Sequence, residues 1–104
     1  MRRGTTPTIS LAVQGYDLTG CTIYATVKQG TTIITKTGND LTVLPATDHT
    51  GVTFELSQTD TLKLRPGKAA VQIRWINSDG LALATDISEI DVTPILLEGE
   101  ISYA

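Results

Sequence analysis

A chain of 104 residues with 18% charged side chains and a net charge of −3 is long enough to bury a core. It is too weakly charged to recruit nucleic-acid backbones or anionic membranes. A single cysteine, Cys21, excludes an intrachain disulfide, no run approaches the ~20 apolar residues of a membrane helix, and Arg2-Arg3 leads into Gly4-Thr5-Thr6-Pro7 rather than a signal-peptide core, so folding in the cytoplasm is expected.

Short alternating segments then follow one another, separated by turn signals. Residues 8–13 alternate cleanly between Pro7, tolerable at a strand start, and Gly15. After the turn Asp17-Leu18-Thr19-Gly20, residues 21–28 place Cys21, Ile23, Ala25 and Val27 on one face and polar residues on the other. Gln29-Gly30 turns the chain into a strand over 32–36, and Gly38-Asn39-Asp40 turns it into another over 41–44. Residues 45–51 read as a polar loop before the strand 52–56. Ser57-Gln58-Thr59-Asp60 has the form of a capping box, so 57–62 is expected to make one helical turn bridging two sheets, with Leu62 and Leu64 closing the core.

Pro66-Gly67 precedes the clearest hairpin, in which Val71, Ile73 and Trp75 share a face. Asn77-Ser78-Asp79-Gly80 makes the turn, and Leu81-Ala82-Leu83-Ala84 returns. The alternation then slips by one residue, which predicts a bulge near Asp86, and it resumes through Val92 until Pro94. The eighteen threonines favour strands over helices. The pattern predicts an all-β chain: an immunoglobulin-like antiparallel β-sandwich of seven to eight strands with one short helical turn. Residues 1–104 read as one domain, with 1–7 an N-terminal arm. Residues 95–104 are too apolar for a solvated terminus. Ile95, Leu96, Leu97, Ile101 and Tyr103 are candidate interface residues, in an extra edge strand or a segment docking on a neighbouring subunit.

Catalytic chemistry finds little footing in these residues. The lone His49 falls in the polar loop and Cys21 on the core face, so a Cys–His pair is not expected. Glu89 and Asp91 share a strand face near Asp86, but calcium-loop spacing is absent, and a solvated outer face is the expectation. No phosphate-binding, dinucleotide or nucleophile-elbow motif occurs. No catalytic residue, metal or cofactor is therefore expected. Trp75 is in phase with the core, while Tyr24 points outward as a candidate surface contact.

Several segments together resemble a known family. Asp17-Leu18-Thr19-Gly20 with the strand ending in Lys28-Gln29-Gly30 is similar to the opening of small phage tail and baseplate modules. So are Gly51-Val52-Thr53-Phe54-Glu55-Leu56-Ser57, Asp60-Thr61-Leu62, Pro66-Gly67-Lys68-Ala69, Val71-Gln72-Ile73-Arg74-Trp75, Asp79-Gly80 and Ala84-Thr85-Asp86-Ile87. The nearest is the N-terminal domain of the baseplate upper protein of phages infecting Gram-positive bacteria. The resemblance, which spans about residues 4–93, implies a non-enzymatic phage or prophage virion structural protein with an immunoglobulin-like sandwich. Its expected partners are other virion structural proteins and further copies of itself, not nucleic acid, membrane or a small-molecule substrate. The chain departs from that family in having no coiled coil or receptor-binding extension, so a tail, neck or decoration component is also expected. The competing expectation is a carbohydrate- or host-surface-binding sandwich that uses Tyr24 or Trp75.

Overall fold

Alternating apolar and polar residues give each strand an inner and an outer face, and the computed structural model, which describes residues 1–103, pairs those faces into two antiparallel sheets. The eight strands are β1 (Thr8–Gln14), β2 (Thr22–Gln29), β3 (Thr32–Thr37), β4 (Leu41–Pro45), β5 (His49–Glu55), β6 (Gly67–Ile76), β7 (Ala82–Ala84) and β8 (Ser88–Val92). A 3-10 turn, Gly38–Asp40, leads into β4, and the helical turn α1 (Gln58–Leu62) follows β5. One sheet has the order β1-β5-β4. The other runs β3-β2-β6, and the far side of β6 pairs with both β7 and β8. This is the strand order of an immunoglobulin-like sandwich without a full first strand. Part of that strand's place is taken by Arg2, which makes a parallel bridge to Thr93.

The core lies between the sheets. Val13, Val52 and Phe54 come from the three-stranded sheet. Ile23, Ala25, Val27, Val71, Ile73 and Trp75 come from the other. The alternation of the long hairpin is therefore read correctly: Val71, Ile73 and Trp75 are all buried. Cys21 precedes β2 and is only half-buried against this cluster.

The capping box forms as expected. Ser57 accepts a hydrogen bond from the Asp60 N–H at 3.1 Å, and the Ser57 N–H donates to Asp60 Oδ2 at 2.9 Å. The turn carries the chain from β5 in one sheet to β6 in the other. Leu64 is fully buried there, whereas Leu62 is only half-buried. Thr61 takes the second buried place, with its hydroxyl donating to the Thr5 carbonyl at 2.9 Å.

The phase slip is a bulge. Arg74 opposes Ala84 and Val71 opposes Ser88, so Gln72 and Ile73 of β6 stand against Thr85, Asp86 and Ile87. Thr85 repairs the broken ladder: its N–H donates to the Ile73 carbonyl at 2.9 Å and its hydroxyl accepts from the Ile73 N–H at 3.2 Å.

The expected polar loop over 45–51 is corrected. Pro45 ends β4, and His49, Thr50 and Gly51 already pair with Gln14, Val13 and Ala12 of β1. Thr50 resembles a loop residue in sequence, but its hydroxyl donates to the Tyr16 carbonyl at 2.7 Å and accepts from the Leu18 N–H at 3.2 Å. With both needs met, the side chain is fully buried.

Candidate interaction surface

The chain ends converge on α1. On the N-terminal side, the Met1 amino group donates to the Asp91 carbonyl at 2.6 Å, and the Arg3 N–H donates to the Thr93 carbonyl at 3.0 Å. Arg3 joins three segments. Its Nε–H donates to the Leu64 carbonyl at 2.6 Å and an Nη2–H to the Leu62 carbonyl at 3.1 Å, so it satisfies carbonyls left over where α1 ends. Its Nη1 meets both oxygens of Glu98 at 2.7 Å.

Residues 95–103 form no strand. Beyond Glu98 the tail is held by Gln58, whose side-chain carboxamide donates to the Ile101 carbonyl at 2.9 Å and accepts from the Ile101 N–H at 2.9 Å. The Thr59 hydroxyl donates to Glu100 Oε1 at 2.8 Å. These contacts are polar and fix the backbone, leaving the apolar side chains outside. Leu96 and Tyr103 are fully exposed, Leu97 is 72% exposed and Ile101 62%. Only Ile95 turns partly inward, and its Cδ1 sits against Gly4, where an added Cβ would lie 2.9 Å away. With φ of +72°, Gly4 uses backbone freedom that other residues rarely have.

Sequence reasoning found the apolar residues of this surface and missed its anchors. Arg3, Gln58 and Thr59 bind residues at least 40 positions away in the chain, and such contacts leave no periodic signal. Glu98 and Glu100 in the tail, set against Arg2-Arg3 in the arm, were the one available hint.

The other candidates lie elsewhere. Tyr24 is 43% exposed on β2, opposite Arg74. With Arg74, Trp75, Ile76 and Ala82 it lines a shallow cleft of about 300 Å³. Trp75 is 5% exposed and packs edge-on against Tyr16 with ring centroids 5.2 Å apart, so it offers no platform for a sugar. His49 Nδ1 lies 2.7 Å from Asp48 Oδ1 at the start of β5, and that contact holds the Asp48 carboxyl below its usual range. Asp91 is paired with Lys68 at 2.6 Å, which lowers the pKa of the acid and raises that of the base. Among the described residues no three His, Cys, Asp or Glu side chains converge on one point, and no helix is long and apolar enough to cross a membrane.

Lys36 of β3 reaches Asp60 of α1 at 2.8 Å and ties the edge of the larger sheet to the helical turn. Partial burial works against the Asp60 charge, but the hydrogen bonds from Lys36 and Ser57 outweigh it and hold the carboxyl below its ordinary value. A cleft of about 580 Å³ beside this pair is lined by threonines, Asn39, Asp40 and Glu55, with neither the histidine nor the cysteine. No protein-family model matches the chain, and no curated protein or solved structure matches it significantly.

Proposed function

We propose that this chain is a non-enzymatic assembly module, a structural protein of a phage or prophage virion that acts through protein–protein contacts. One observation carries the contact role. The tail is held to the domain by polar groups while Leu96, Leu97, Ile101 and Tyr103 face outward. Apolar side chains on an ordered backbone present a ready surface for a partner, since burying them there requires little further ordering. The virion setting rests on the sequence resemblance to tail and baseplate modules. Its partners in that reading are other virion proteins and further copies of itself.

Two measurements test the proposal. Light scattering across a concentration series compares the full chain with one ending at Pro94. The full chain is expected to reach the larger mass, and equal masses throughout would remove the tail from the assembly role. Mass spectrometry of purified particles from the encoding lysogen tests the setting, which fails if the chain is absent from them.

A further inference from the structure

Four strand edges bound the two sheets, and three of them are blunted. The β3 edge carries Lys36, tied to Asp60. The β4 edge is five residues long and ends in Pro45. The β7–β8 edge is broken by the bulge, carries Asp86, Glu89 and Asp91, and is partly covered where Arg2 bridges Thr93. The remaining edge is β1, seven residues with no charge, proline or bulge.

Its free backbone groups can be assigned. The Gly15 N–H donates to the Asp48 carbonyl and the Leu56 N–H to the Pro7 carbonyl, both in the same register as the β1–β5 ladder. Odd-numbered residues of β1 therefore direct their N–H and C=O groups at β5. Thr8, Ser10, Ala12 and Gln14 direct theirs away from it. No described residue pairs with those groups.

The inner face of the same strand points to what fits. Val13 is buried, but Ile9 and Leu11 are only half-buried although they face inward, because no strand flanks them on the open side. We infer that the β1 edge pairs with the β1 edge of a second copy of this chain, antiparallel and across a twofold axis at Leu11. The two three-stranded sheets then join into one. Ser10 stands opposite the partner's Ala12 and Thr8 opposite the partner's Gln14, giving about eight backbone hydrogen bonds with no like charges opposed. On the inner face, Ile9 and Leu11 meet the partner's Val13 and Leu11, continuing the apolar surface. A second copy fits because the edge is uncharged and complementary to itself under a twofold. The inference rests on the assembly reading but uses a surface separate from the tail.

Amide hydrogen exchange and light scattering of the full chain, from micromolar to millimolar concentration, test it. The expected result is an assembly built on the β1 dimer, whose Ser10 and Ala12 amides become about tenfold or more better protected as concentration rises, with Leu11 and Val13 protected throughout. The double variant Ser10→Lys/Ala12→Lys alters two exposed side chains and sets lysines against lysines. Ser10→Pro removes one outward N–H and leaves the β5 ladder whole. Both are expected to lose the protection at the outward amides that remain and to fall in mass, with retained protection at Leu11 and Val13 showing that the fold is intact. The chain ending at Pro94 is expected to keep the β1 dimer and to stop there, below the mass of the full chain. A monomer at millimolar concentration with unprotected Ser10 and Ala12 would overturn the inference. So would an oligomer that survives the lysine variant and disappears with the tail, a result that would leave the tail's assembly role standing.

Discussion

Replacing Arg3 separates two roles of one side chain. Its guanidinium bonds the Leu62 and Leu64 carbonyls and also Glu98. The side chain is 15% exposed, whereas Glu98 is 60% exposed. Charge-assisted hydrogen bonds contribute about 1.5–3 kcal/mol each when buried, and discounting for partial exposure leaves about 2–3 kcal/mol for the two carbonyl contacts together. The ion pair with Glu98 is screened by water and contributes less than about 0.5 kcal/mol. Arg3→Met keeps the aliphatic stem and is therefore expected to cost about 2–3 kcal/mol. Glu98→Gln is expected to cost almost nothing. Arg3→Lys should fall between, because an ammonium group reaches one carbonyl and lacks the planar fork that spans both. With a urea slope of about 1–1.5 kcal/mol/M for a domain of this size, Arg3→Met lowers the unfolding midpoint by about 2 M. A midpoint within experimental error of the unmodified chain would refute the argument. A Glu98→Gln loss equal to that of Arg3→Met would also refute it, since the ion pair would then outweigh the carbonyl contacts.

Two further outcomes follow from a buried and a partly buried polar group. Thr50→Val keeps the side-chain shape but leaves the Leu18 N–H and the Tyr16 carbonyl without their partner; urea unfolding should show a loss of about 2–4 kcal/mol, against about 1 kcal/mol for Thr50→Ser, which keeps the hydroxyl. Asp60 is held below its ordinary value of 3.8 in the folded chain, so its contribution is complete above that value and is lost as pH falls through the lower, folded value. Unfolding midpoints should therefore fall on acidification below about pH 4, and less steeply in Asp60→Asn; equal slopes would show that Asp60 is not linked to folding.

Much of the fold is local in origin, and that part was legible. Val71, Ile73 and Trp75 alternate because a strand does, and Ser57 with Asp60 announces the helical turn through a four-residue motif. The slip between Leu83 and Ile90 gave away the bulge, since one extra residue moves every later side chain to the other face. What could not be read depends on distant partners. Thr50 and Gly51 look like loop residues until the Tyr16 carbonyl and the Leu18 N–H are in place beside Thr50. The apolar tail was legible as a surface. Its path was not, because it is set by Gln58 and Arg3, two polar side chains with no periodicity.

The tail's attachment is weak compared with what its side chains gain from burial. Its hold on the domain consists of two neutral hydrogen bonds through Gln58 and one from Thr59 to Glu100, all at exposed positions and each contributing about 0.5–1.5 kcal/mol, and Glu98 adds little. Burying an exposed Leu, Ile or Tyr side chain contributes about 1.5–3 kcal/mol. Leu96, Leu97, Ile101 and Tyr103 are all available for this. A partner that covers three of them therefore gains more than the polar clamp contributes. The domain can surrender the tail's position without disturbing its core, because none of those four residues belongs to the buried cluster. Folding and any contact made by the tail thus draw on separate sets of side chains, with Arg3 as the residue that touches both the core domain and the tail.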